Sequence, residues 1–195
     1  MARTRALIGP ASVVAYLAAL AVVQATGEPD RRTLASSPDE IADGQVWLLL
    51  TSGLVIDGLP WLQLAVLALV LAVALERLGA LRLWTVALVA HVGSALIAYA
   101  GIGVLWLADR GLVESVVHEP DYGVSVVLAG ELGALAVVGG RRMALFVGAF
   151  VLAGIGISVT DSSLLANVEH LLGFVLGALT MLALERRVPL RPCSR

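Results

Sequence analysis

The chain has 195 residues, 59% hydrophobic and 14% charged, with a net charge of −2 and a mean hydropathy of +0.93. One soluble core of this size cannot hide so much apolar surface, and without a basic patch nothing points to nucleic acid. The single cysteine, Cys193, excludes an internal disulfide and a zinc cluster, and it does not sit in a prenylation box.

The charges fall between apolar stretches of about 17 to 25 residues, the length that crosses a bilayer's hydrocarbon. The pattern predicts six spans: Leu7 to Ala25, Leu59 to Leu75, Leu83 to Leu107, Gly123 to Val138, Met143 to Val159 and Leu164 to Leu184. The chain reads as one all-α membrane domain over 1–195, with an outer loop at 26–58 and a tail at 185–195. The basic start and Val23-Gln24-Ala25 have the look of a cleavable signal, but the apolar stretch is long for one and favours an uncleaved helix.

Connecting charges give the orientation. Arg3 and Arg5, then Arg77 and Arg82, then Arg141 and Arg142, then Arg186, Arg187, Arg191 and Arg195 mark one side. Mainly acidic loops mark the other, among them Asp39, Glu40, Asp43, Glu119, Asp121 and Asp161, with Arg31, Arg32 and Arg110 as exceptions. Basic residues favour the cytoplasmic side, which puts both termini inside and makes this a multi-pass protein of the cell membrane. The outer loop turns apolar at Val46 to Ile56, too short to span, and is expected to lie in the interface with Trp47 at headgroup level.

Two polar residues inside apolar runs stand out, Ser125 and His170. Counted along the helices they lie roughly 6 Å and 9 to 13 Å below the outer ends, at compatible depths. Ala129 and Gly133 fall on the Ser125 face at i+4 and i+8, and Gly173 and Gly177 follow His170 at i+3 and i+7. Small residues let membrane helices approach backbone to backbone. A hydroxyl and an imidazole so placed have the parts of a nucleophile and its base. Each feature alone has a bland reading: serine bonding back to its own helix, histidine bridging helices, glycines as ordinary packing.

These segments resemble the rhomboid intramembrane serine proteases. Gly123-Val124-Ser125 is similar to that family's Gly-x-Ser motif, continued by Gly130 and Gly133-Ala134-Leu135. Ala166-Asn167-Val168-Glu169-His170-Leu171-Leu172-Gly173, followed by Gly177, is similar to its Ala-Asn-x-x-His-x-x-Gly-x-x-x-Gly segment. Gly44 to Ser52 and Glu76-Arg77-Leu78-Gly79 resemble the approach to the second helix and the turn that ends it. The resemblance implies a six-helix rhomboid-like bundle using a Ser125–His170 dyad, without a third acid, metal or cofactor. It also implies transmembrane-helix substrates cut near the outer face. Gln63, Gly123, Val124 and Asn167 become candidates for the oxyanion and substrate side.

The sequence departs from the pattern in three places. Val126 stands where glycine usually follows the serine, and a β-branched residue there is expected to narrow the space beside the nucleophile. Pro60-Trp61-Leu62-Gln63-Leu64 lacks the family's His; Gln63 either offers an amide in place of its Asn or simply stays hydrated at the interface. The loop's Trp-Arg pair has become Trp47-Leu48. These departures support an alternative, a catalytically inactive relative that binds membrane helices as a chaperone or adaptor. A small transporter ranks last, because neither an inverted repeat nor paired broken helices are seen.

Four further polar residues carry expectations. Glu131 is expected to contact the mid-span His91 or to neutralise by protonation. His118, among scattered acids, is expected to be solvated and makes a poor metal site. Asp121 is expected to cap the helix that carries Ser125.

Overall fold

The computed structural model describes residues 2–26, 31–145, 147–148 and 164–187. Four helices among them are long and apolar enough to cross a membrane, and Val124–Val138 is a shorter apolar helix. We label the helices α1 (Ala2–Ala25), α2 (Pro38–Ala42), α3 (Leu48–Thr51), α4 (Pro60–Leu78), α5 (Ala80–Ala108), α6 (Glu114–Val117), α7 (Val124–Val138) and α8 (Leu164–Arg187). The chain is an all-α integral membrane protein. The backbone is also helical at 140–145, but most of the expected fifth span lies outside the described residues, as do Asp161 and Cys193.

The two spans that flank Gly79 are longer than hydropathy alone suggests. Arg77 and Arg82 were expected in a connecting loop, yet each sits in a helical turn. The junction between α4 and α5 is Gly79 alone, at φ +78°, a left-handed conformation open to glycine. Its N–H donates to the Leu75 carbonyl and its carbonyl accepts from Leu83 N–H, so one residue caps both helices.

Lipid tails are as apolar as leucine, so packing rather than hydrophobic exclusion holds membrane helices together. The closest pair is α7 with α8. A Cβ added at Gly177 would collide with the Gly130 backbone, and one at Gly133 with the Phe174 carbonyl. A Cβ at Gly173 would lie 2.7 Å from Val126 Cγ1. These contacts advance together along both helices, which therefore run parallel, with Ser125 and His170 toward the same end. Leu67, Leu71, Leu83, Val86, Val124, Val127 and Leu132 fill the core between α4, α5 and α7.

The apolar half of the first loop is only partly a surface element. Trp47 is 57% exposed, and Val46 and Leu50 are exposed beside it. Leu48, Leu49, Ser52, Gly53, Val55 and Ile56 are buried. The segment winds through α3 and a 3-10 turn at Ser52–Leu54, turning its inner side toward α5 and the start of α7. From α1, the Tyr16 hydroxyl donates to the Gly53 carbonyl at 2.7 Å and fastens this turn in place.

Candidate active site

Ser125 is the second residue of α7, and His170 is the seventh of α8. Their side chains meet: Ser125 Oγ and His170 Nε2 are 2.7 Å apart. Both residues are partly buried. Ser125 Oγ also lies 3.5 Å from the Tyr122 carbonyl of the preceding turn. The glycine contacts explain how helices from distant parts of the chain come this close, since larger side chains at Gly133, Gly173 or Gly177 would hold them apart.

Val126, expected to narrow the space beside the nucleophile, turns one branch of its side chain toward α8. It is buried in the α7–α8 seam, with Cγ1 against Gly173. The glycine on the opposite helix makes the room that the extra side chain needs.

The other sequence candidates are placed less simply. Gly123 N–H donates to the Ser52 carbonyl at 3.0 Å, and the Val124 side chain belongs to the apolar core. Asn167 is partly buried one turn before His170. Gln63 Nε2 donates to the Asp57 carbonyl at 2.5 Å, fastening the loop that enters α4.

Asp121 does not cap α7: Gly123 is the N-cap, with no side-chain capping bond. The Asp121 carboxylate turns instead to a buried cluster. Its Oδ2 accepts from the Tyr99 hydroxyl at 3.0 Å and from Ser36 Oγ at 3.4 Å, and the two hydroxyls are 3.0 Å apart. The backbones pair as well, with Asp121 N–H donating to the Ser36 carbonyl at 2.6 Å and Ser36 N–H to the Asp121 carbonyl at 3.3 Å.

Of the two alternatives expected for Glu131, the contact with His91 is not formed. No hydrogen bond joins His91 to Glu131, which is fully buried with no hydrogen-bond partner among the described residues. His91 Nε2 lies 3.4 Å from Ser52 Oγ instead, and its ring fills the space beside Gly123. His118 is mainly exposed, as expected, but its Nδ1 meets Asp39 Oδ2 at 2.6 Å. Partial burial pushes the Asp39 carboxyl upward; hydrogen bonds from Ser37, His118 and the Glu40 backbone, with the His118 charge, outweigh it and hold Asp39 below its usual range.

Four buried polar residues around this end of α7 are not marked by the sequence: Ser36, Ser52, Tyr99 and Glu169. Glu169 offered the plainest signal, an ionisable residue inside a span next to His170. It is fully buried and lies in the field of Asp121 and Glu119, with no hydrogen bond of ordinary length among the described residues.

The chain matches the family model described as rhomboid-like protein over residues 13–188, nearly its whole length. No curated protein and no solved structure matches it.

Proposed function

The chain belongs to the rhomboid-like protein family, and from that premise we propose that it is an intramembrane serine protease working through Ser125 and His170. The observation that carries this reading is the 2.7 Å contact between Ser125 Oγ and His170 Nε2. With the ring proton on Nδ1, Nε2 accepts the serine proton as Oγ attacks a peptide carbonyl. The imidazolium then gives that proton to the departing amine as the C–N bond breaks. Water, deprotonated by the same imidazole, hydrolyses the acyl ester and regenerates the serine.

Charge on the tetrahedral oxygen needs donors. Ser125, the second residue of α7, is among the first four positions whose N–H groups lack an intrahelical partner, and the carbonyl four residues back, that of Asp121, accepts from Ser36 N–H. The positive end of the helix dipole lies at the same place. Gly123, Val124 and Asn167 are the neighbouring candidates for the oxyanion and substrate side. The substrates are transmembrane helices of the surrounding bilayer, cut near the outer face of the cell membrane, with both termini of the protease in the cytoplasm. Arginines at the expected inner ends support that orientation.

One observation favours the alternative, an inactive relative that binds membrane helices. Gln63, the amide proposed to support the oxyanion, donates to the Asp57 carbonyl. Losing one oxyanion donor costs about a hundredfold or more in rate.

The test is cleavage in proteoliposomes. Purified protein is reconstituted with single-span peptides that carry a helix-breaking residue near one end, and products are read by mass spectrometry. Cuts near the outer end that disappear in Ser125→Ala and His170→Ala support the protease. Peptides that co-purify intact with wild type and both variants support the inactive relative.

A further inference from the structure

The triangle of Ser36, Tyr99 and Asp121 joins three parts of the chain that are far apart in sequence. Ser36 belongs to the first loop, Tyr99 to the last third of α5, and Asp121 to the segment leading into α7. Ser36 and Asp121 are buried at 0% and 7% exposure, and Tyr99 is buried with them. A buried carboxylate serving two hydroxyls stays where those hydroxyls put it, because leaving would strand polar groups away from water. The paired backbones of Ser36 and Asp121 fix the main chain as well.

Only three residues separate Asp121 from Ser125. A second tie acts between them, since Gly123 N–H is held by the Ser52 carbonyl from the other end of the same loop. The turn that presents the nucleophile is thus pinned at both Asp121 and Gly123. The α7–α8 glycine seam sets the distance between helices from Val126 onward, and the ties at Asp121 and Gly123 fix the chain that leads into it. The Ser125 hydroxyl sits in the first turn of α7, where helices fray most readily.

We infer that Asp121, held by Tyr99 and Ser36, is a positioning residue that sets Ser125 against His170. This rests on the proposed dyad. It assigns Asp121 a role through hydrogen-bond geometry, since an amide oxygen at the same place would also accept from both hydroxyls; the groups through which its charge would act instead are the neighbouring His170 imidazole and the buried Glu169 carboxyl.

A thiol reporter tests it without requiring proteolysis. In a Cys193→Ser background, Ser125→Cys places a single thiol beside His170. Its alkylation by iodoacetamide is followed against pH in lipid nanodiscs, with thermal unfolding measured alongside. A thiol paired with an imidazole reacts at pH values where an ordinary thiol, with a pKa of about 8.5, does not. Tyr99→Phe and Asp121→Ala are expected to cut the rate at pH 6.5 by about tenfold, corresponding to an upward shift of about one unit in the acid limb. Asp121→Asn is expected to keep the parent profile. Tyr99→Phe removes one oxygen and decides the matter if Asp121→Ala fails to fold.

An unchanged profile in folded Tyr99→Phe overturns the inference. Loss in Asp121→Asn equal to that in Asp121→Ala overturns it too, assigning the effect to charge. If His170→Ala leaves the reporter's profile unchanged, the dyad itself fails and the inference falls with it, an outcome distinct from the other two.

Discussion

The imidazole of His91 occupies the space that a side chain at Gly123 would need. A Cβ built there would run into the ring, whose Nε2 also lies 3.4 Å from Ser52 Oγ. The glycine two residues before the nucleophile therefore answers a packing demand from α5. Gly123→Ala is expected to destabilise the protein by about 1 to 3 kcal/mol, the usual cost of overpacking. Adding His91→Ala is expected to recover part of that loss. Thermal unfolding of the two single variants and the double variant in one lipid checks the coupling; strictly additive losses would refute the contact.

Val126 and Gly173 make a second complementary pair. Restoring the family's glycine by Val126→Gly is expected to lower stability by about 2 to 4 kcal/mol, combining a cavity with glycine's helix penalty. It is not expected to raise activity. A gain in substrate turnover by Val126→Gly would show that the valine does narrow the site.

Gly177 faces the Gly130 backbone, which has no flexible side-chain end to yield. Gly177→Ala is expected to push α7 and α8 apart and break the Ser125–His170 contact two turns away. Reactivity of Ser125 should fall at least tenfold, on the order of 1.4 kcal/mol in the arrangement of the pair. Leu179→Ala, on an exposed position of the same helix, serves as the control and should leave reactivity unchanged.

The Asp39–His118 pair carries a pH prediction of modest size. A carboxyl held below its usual range stabilises the fold above its unfolded pKa and loses that contribution as pH falls through its folded value. The pair is largely solvent-exposed, so Asp39→Asn is expected to cost under about 1 kcal/mol at pH 7. The difference from wild type should vanish in acid. Unfolding midpoints across pH 2.5 to 7 check this, and a difference that grows toward low pH would contradict it.

The parts of the site legible in sequence are those with a helical period. Gly173 and Gly177 announce a close-packed face, and Ser125 and His170 stand out because hydroxyls and imidazoles are costly among apolar side chains. The Asp121 triangle was not legible, because Ser36, Tyr99 and Asp121 come from two irregular segments and a helix with no shared period. By sequence alone Asp121 reads as a local cap, the commonest use of an aspartate before a helix. Long-range partners outbid that local role. The turn at Gly79 is legible, but its length is not: flanking arginines suggest a loop, while glycine's left-handed freedom lets two helices meet across one residue.

The central claim is that Ser125 is a nucleophile activated by His170. A fluorophosphonate probe applied to the purified protein in lipid and in detergent, with the labelled residue located by mass spectrometry, tests it most directly. We predict a single adduct on Ser125 that is lost in Ser125→Ala and in His170→Ala. Absence of an adduct from folded wild type in both media, or an adduct that persists in His170→Ala, would contradict it.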